Sequence, residues 1–468
     1  MQLARNLVLF IVIMALSSAC RKDFLNKKPN TSTIIPETLN DFDLLLNEVG
    51  IAFCNFPEMG ALSSDDYYIK DMIYNSLPFT RTRNCYLWAT DIYEGDTQIS
   101  DWNYPFKQIF YCNTIIEGIK KITVTNNNQA QWHRLLGSAY CLRAYAFHNL
   151  ATIFCTVYDS STSRKTLGLP LRISSDVNEN VIRANLQDTY ELIISDLDAA
   201  EVNLTTPFDL TQPNRPGIET LYALAARVYL YIGDYSKAMK YSKACLDLKS
   251  ELMNYSIFDT TVLKPFPVIP GGHNPEVLYF DKYAYNSWFQ ILSTGLLVDT
   301  ALYQSYNDAD CRKRLYFRNV GGTDYGPKGG YIGLANFFTG LSMSEVYLCY
   351  AESAARLQQF DIAKEAITKL MISRWKRDLI SGRSLYVFPV INSSNDLLTY
   401  ILAERRKELV FRGTRFSDLK RLNRDGANIT LYRIINGITY TLPPNALKYA
   451  MPIPPDEINL SGIPQNER

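Results

Sequence analysis

Residues 226–248 read ARVYLYIGDYSKAMKYSKACLDL. Apolar and small residues recur at helical spacing up to Ile232, and again from Tyr235 onward. Gly233 separates the two runs, and glycine accepts the left-handed backbone that ends a helix. Ala238 lets the second helix approach the first, and Tyr235 fills the gap between them. The stretch therefore reads as a helical hairpin. Such a unit cannot bury its apolar face alone, so others must stack against it.

A second stretch, residues 351–371 (AESAARLQQFDIAKEAITKLM), has the same layout. Gly233, Asp234, Tyr235 and Ala238 match the tetratricopeptide pattern at its turn. Phe360 and Ala363 match it in the second stretch, with Gln358 where Gly is usual. The spacing predicts further helices over 41–49, 102–119, 131–154 and 186–202, and the 102–154 pair reads as a third hairpin. Another helix is expected over 396–411. Gly413 stops it, and Phe416, Leu419 and Leu422 pack a short helix back.

Residues 251–341 are rich in Gly, Pro, Tyr and Asn, with little helical periodicity, and read as an irregular insertion. Near the C-terminus, alternation around Asn436-Gly437 predicts a β-hairpin, because both residues accept the positive φ of a type I′ turn. The expected fold is mainly α. It is a tetratricopeptide-like frame of about four helical pairs with an irregular, loop-rich second lobe and short β-hairpins.

The chain has 468 residues, 47% of them apolar and 20% charged, which is a globular balance. With 48 Lys+Arg against 47 Asp+Glu, it lacks the basic footprint of a dedicated nucleic-acid binder. Three histidines leave little room for a His-built metal site, and no metal or cofactor is expected. Aromatic residues make up 13%, with 32 Tyr against 22 Phe. A Tyr ring presents an apolar face and a polar tip, which suits wet binding surfaces.

At the N-terminus, Arg5 precedes an unbroken apolar run from Leu7 to Leu16, then Ser17, Ser18, Ala19 and Cys20. The run is too short for a bilayer, which needs about 20 residues. It reads as a signal peptide (1–19) with a lipidation site at Cys20. Residues 20–40 are a polar tether, and 41–468 form the main domain, with the insertion at about 251–341 and a C-terminal segment at about 395–468. Among the other eight cysteines, Cys112, Cys141, Cys245 and Cys349 fall at apolar helical positions and read as buried, mostly free thiols.

No catalytic constellation emerges. Glu404 and Glu408 lie one helical turn apart, but Arg405, Arg406 and Arg412 flank them, which favours ion pairing over general-acid chemistry. Residues 404–424 (ERRKELVFRGTRFSDLKRLNR) read as an ion-pair knot locking two helices. Asp308 and Asp310 lack the Gly and terminal Glu of a calcium loop. GxGxxG, GxxxxGK[ST] and GxSxG are absent.

Five landmarks, in order, resemble the SusD/RagB family of nutrient-binding lipoproteins: the lipidation motif followed by Lys22-Asp23-Phe24-Leu25, RVYLYIGDYSKAMKYS, EVYLCYAESAARLQQFDIA, ERRKELVFRGTRFSDLKRL and YAMPIPPDEINL. Ser17 and Arg412 depart from the family's habit. The resemblance implies a lipid-anchored, non-enzymatic protein on the outside of a Gram-negative outer membrane. It would capture oligosaccharides, or peptides, and deliver them to a TonB-dependent, SusC-like β-barrel transporter. Its membrane contact would be through the lipid only. A tetratricopeptide adaptor for protein partners is the alternative, and a lipid-anchored hydrolase a more distant one.

A carbohydrate platform needs exposed rings for the flat C–H faces of sugars and polar neighbours for their hydroxyls. The stretch YFDKYAYNSWF (279–289) offers Tyr283, Tyr285, Asn286 and Trp288. An N-terminal cluster offers Asp66, Tyr67 and Tyr68, with Trp88 in the loop beyond.

Overall fold

Helix α5 (Ile218–Ile232) ends at Gly233, whose φ of 89° is left-handed. The N–H groups of Gly233 and Asp234 both return to the carbonyl of Tyr229, at 3.1 and 3.0 Å, closing the helix end. Asp234 then caps α6 (Tyr235–Leu248) by accepting from the Lys237 N–H. Ala238 is fully buried where the helices meet, and Tyr229 stacks on Tyr241 with centroids 5.5 Å apart. The second predicted turn joins α7 (Met343–Arg356) to α8 (Phe360–Arg374). Gln358 adopts φ 61° there, so the turn keeps its left-handed residue without a glycine.

These properties belong to the computed structural model, which describes residues 36–50, 52–284, 288–291 and 293–468. Leu39–Arg468 is one compact unit, and Met1–Thr38 is counted apart from it. The expected signal peptide, Cys20 and most of the tether lie outside the described residues.

The remaining long helices follow the predicted periodicity. Helix α2 (Ser100–Ile119) pairs with α3 (Gln129–Phe154), and α4 (Leu186–Asn203) lies along α3. From Leu135 onward α3 is buried on nearly every side, as its apolar residues require. Helix α6 packs on α7, and α9 (Ser394–Glu408) on α7 and α8, so the hairpins share faces in the manner of tetratricopeptide repeats. Helix α10 (Arg415–Arg424) folds back after Gly413. The helix expected over 41–49 is α1 (Leu39–Leu45); Val49 leaves it to bridge Phe53. All eight cysteines of the described region are buried and none forms a disulfide.

Among its described residues the insertion contains no long helix. Its strands pair two by two, all antiparallel: β1 (Tyr67–Tyr68) with β5 (Leu297–Val298), β4 (Val277–Tyr279) with β8 (Leu341–Ser342), and β6 (Phe317–Gly321) with β7 (Asp324–Pro327). Elsewhere β2 (Leu167–Pro170) pairs with β3 (Arg183–Asn185). The predicted hairpin is β9 (Leu431–Ile435) with β10 (Ile438–Leu442), turning through Asn436 and Gly437 at φ 50° and 75°.

Buried charge ties the insertion to the frame. Arg374 of α8 lies 2.7 Å from Glu276 and 2.8 Å from Glu408. Arg312 lies 2.7 Å from Asp310, 2.5 Å from Glu404 and 3.2 Å from Glu408. Burial alone would raise the Glu408 carboxyl, but Arg374 and Arg312 hold it below the usual range. A second cluster joins α5, α7, α9 and α10: Arg227 to Glu345, Arg405 to Asp418, and Arg421 to both Asp418 and Glu352. The ion-pair reading of residues 404–424 therefore holds.

Two predictions follow from this packing. A Cβ at Gly233 would sit 3.2 Å from the Arg424 guanidinium, on backbone that a β-branched residue resists. Gly233→Val should lose about 1–3 kcal/mol and lower the midpoint of thermal unfolding; a wild-type melt contradicts the turn assignment. The second concerns Asp281, whose carboxylate faces the Tyr145 hydroxyl at 2.7 Å. Burial pushes it up to about 7, against the pull of Tyr145, the Lys282 N–H and Arg227. Its folded value exceeds the unfolded one, so its contribution is complete below about pH 4 and fades as pH rises through about 7. Asp281→Asn should remove that slope. Urea midpoints at several pH values test this, and parallel pH profiles for the two proteins would refute it.

Candidate functional site

Strand β1 sends successive side chains to opposite faces, and that separates the predicted residues. Tyr67 points inward, and its hydroxyl donates to the Leu62 carbonyl at 2.6 Å. Trp88 is buried too, with its indole N–H donating to the Ser63 carbonyl at 2.9 Å. The cause lies far along the chain. Arg433 faces inward from β9, and the rings of Tyr67, Tyr86 and Trp88 surround its guanidinium at 5.5, 4.4 and 5.3 Å. Desolvating that cation calls for aromatic faces, which is where these rings are used.

Tyr283 is likewise core. It packs against Phe56, Phe289 and Phe337, and its hydroxyl donates to the Phe411 carbonyl at 3.3 Å. Asp66 is buried beside Arg406 at 3.5 Å. Burial pushes its carboxyl up to about 6 despite Arg406. Its half-buried neighbour Asp65 is held well below the usual range by Arg415, which grips both of its oxygens at 2.6 and 2.8 Å. Asp66, Tyr67, Trp88 and Tyr283 thus correct the expected platform: their faces and polar groups are already taken inside the protein. Tyr285 and Asn286 lie outside the described residues. Trp288 is half-buried, with its ring 6.4 Å from those of Tyr67 and Phe289.

Tyr68 takes the other face of β1 and remains partly open. Its hydroxyl donates to Asp324 at 2.8 Å, and Lys70 also pairs with Asp324. Burial and the adjacent carboxylate push the Tyr68 hydroxyl up to about 12, so it stays a neutral donor at physiological pH. Strand β5 pairs with β1 and also contacts β7, which brings Asp324 to the Tyr68 hydroxyl. The next residue of β7, Tyr325, stacks on Tyr303 of the short helix Thr300–Gln304, with centroids 3.6 Å apart and planes within 17°. Lys313 stands 5.4 Å from the Tyr303 ring.

Two half-buried aromatic groups result: Tyr68 with Asp324 and Lys70, and the Tyr303–Tyr325 stack with Lys313. Together they offer flat apolar area and hydrogen-bonding groups of both signs. Tyr303, Tyr325, Asp324, Lys70 and Lys313 were not singled out from sequence. Tyr325 sits in the Gly-rich part of the insertion, and that texture was the signal for it. The paired carboxylates Glu404 and Glu408 are locked to Arg312 and Arg374, away from this surface chemistry. Among the described residues no group of three or more His, Cys, Asp or Glu is placed to hold a metal ion.

Comparison with known proteins gives a consistent family. Residues 23–230 match a family model described as starch-binding, associating with the outer membrane, and residues 293–467 match that of the SusD family. The SusD-like protein P38 of Formosa agariphila is 27% identical over 150 residues, which cover 31% of this chain and 25% of that relative. The chain thus spans a quarter of that curated relative's length. A SusD superfamily protein from Bacteroides thetaiotaomicron superposes with a TM-score of 0.72 at 20% identity, covering 92% of this chain and all of the other. A SusD-like carbohydrate binding protein from Bacteroides vulgatus gives 0.67 at 18% identity, covering 91% and 97%. At such identities the superpositions speak for the fold. Two family matches in chain order, over a shared helical architecture, place this chain in the SusD family.

Proposed function

We propose that this protein is a cell-surface glycan-binding lipoprotein. In this reading it captures oligosaccharides on the Tyr68–Tyr303–Tyr325 face and passes them to a partner TonB-dependent, SusC-like transporter in the outer membrane, while a lipid on Cys20 keeps it at the cell surface. The observation that carries the reading is the stacked, half-buried Tyr303–Tyr325 pair, carried on the hairpin that also presents Asp324 to Tyr68 and Lys70. Trp288, half-buried beside Tyr67, is a further candidate ring. A family model described as starch-binding and a carbohydrate-binding structural relative support the same ligand class. The ion-paired state of Glu404 and Glu408 supports capture rather than turnover.

Burying one aromatic side chain yields about 1.5–3 kcal/mol, and two or three must first offset the cost of association. The expected Kd lies between about 1 mM and about 10 μM, which suits a protein that must release its cargo. A glycan array would supply the ligand, and calorimetry would compare wild type with Tyr325→Ala, Tyr303→Ala and Trp288→Ala. Loss of one ring should weaken binding by about tenfold or more. If the array is silent, or if all three variants bind as wild type, the reading fails.

A further inference from the structure

Between α8 and α9 the chain makes a finger whose apolar residues divide into two sets. The aromatic ones face the protein. Trp375 packs edge-on against Tyr386 at 5.3 Å, the Tyr386 and Tyr400 hydroxyls meet at 3.0 Å, and Phe388 packs against Tyr400 at 6.2 Å. The aliphatic ones face away. Leu379 and Ile380 at the tip are 101% and 98% exposed, and Val387 and Val390 behind them 80% and 93%. Two large aliphatic side chains fully in water at one tip is a costly arrangement unless something covers them.

The tip is tightly built. Arg377 bridges Ser384, and the Asp378 N–H donates to the Arg383 carbonyl at 2.8 Å. The exposed Asp378 carboxylate accepts from the N–H groups of Ile380 and Ser381 and from the Ser381 hydroxyl, at 3.2, 2.7 and 2.8 Å. Gly382, at φ 67°, donates its N–H to the Asp378 carbonyl at 2.9 Å. Local bonds thus hold Leu379 and Ile380 outward together. The one acid of the tip, Asp378, is hydrogen-bonded within the turn, and two exposed arginines, Arg377 and Arg383, outnumber it and flank the aliphatic pair. Behind them Lys364 stands 4.9 Å from the Phe388 ring, and Lys376 donates to the Asp308 carbonyl. Asp308 is itself paired with Lys313.

We propose that this finger is a membrane-inserting tip: Leu379 and Ile380 enter the acyl boundary of a bilayer, while Arg377 and Arg383 meet anionic phosphate headgroups. The cationic rim supplies the charge complementarity. Size also favours lipid. A specific protein interface buries about 800 Å² per partner, far more than two side chains on a convex turn present. The contact would be a second membrane attachment beside the expected lipid. It would fix which face of the protein meets the membrane.

The test uses the chain from residue 20 onward with Cys20→Ser, which carries no lipid and keeps the whole compact unit. Co-sedimentation is measured with vesicles of 70:30 phosphatidylcholine:phosphatidylglycerol and with pure phosphatidylcholine vesicles. The unlipidated protein should partition onto the anionic vesicles. Leu379→Ser/Ile380→Ser should lower the partition coefficient about tenfold or more. Arg377→Gln/Arg383→Gln should lower it by about 5-fold per arginine on anionic vesicles, and leave binding to neutral ones unchanged. All four side chains are exposed, so thermal melts should match wild type and exclude misfolding. Absence of vesicle binding overturns the proposal, as does binding that ignores the Leu379/Ile380 change. So does a requirement for Leu379 in contacting a protein partner without any vesicle binding. No arm depends on glycan recognition, so this proposal and the glycan reading fail separately.

Discussion

Two guanidinium groups sealed from water, Arg312 and Arg374, set the conditions for the rest of the molecule. A buried cation is tolerable only if carboxylates meet it with good geometry. Here those carboxylates come from opposite parts of the structure. Glu404 and Glu408 belong to α9 of the helical frame, whereas Glu276 and Asp310 belong to the loop-rich insertion. Satisfying the charges therefore fixes the insertion on the frame. Tyr331 adds a hydrogen bond to Glu276 at 2.5 Å, and Tyr255 lies 4.1 Å from Arg374, so aromatic residues complete the shell. Such clusters often add little net stability compared with an apolar core, but they penalise any other arrangement of the same elements.

That constraint reaches the surface. Among its described residues the insertion has two-stranded pairings only, and short ribbons of that kind are marginal by themselves. Once Arg312 is anchored, the neighbouring helix Thr300–Gln304 and the β6–β7 hairpin are held, and Tyr303 and Tyr325 stack. The Tyr303–Tyr325 stack is thus loop-built yet rigidly supported. Arg433 plays a parallel role on the other side of β1: its cage draws Tyr67 and Trp88 inward and leaves Tyr68 as the outward residue of the strand.

The helical frame was legible because its signals are local. Helical periodicity, Gly233 at a left-handed turn and Asn436-Gly437 at a hairpin each occupy a few consecutive residues. The knot at Glu404–Glu408 was legible as ion pairing, though not its partners Arg312 and Arg374, which come from distant segments. The site was less legible. In YFDKYAYNSWF the rings are dense, but strand segments of two or three residues show no alternation to read. Tyr67, Trp88 and Tyr283 became core through partners more than a hundred residues away (Arg433 and Phe411), and no local pattern announces that. Tyr303 and Tyr325 are 22 residues apart in sequence and meet only through tertiary pairing. At Gln358 the sequence departed from the expected Gly while the backbone kept the turn, so the tertiary hairpin overrode the local preference.

The central claim is that the Arg312–Arg374 cluster clamps the insertion to the helical frame. Hydrogen exchange of Glu408→Gln, compared with wild type, tests it most directly, because that carboxylate touches both arginines and the substitution keeps its shape. The account predicts faster exchange at two distant places at once, around residues 274–279 and 310–327 of the insertion and in α8 and α9, with α2 and α3 unchanged. Exchange that rises only beside residue 408, or nowhere, would contradict it.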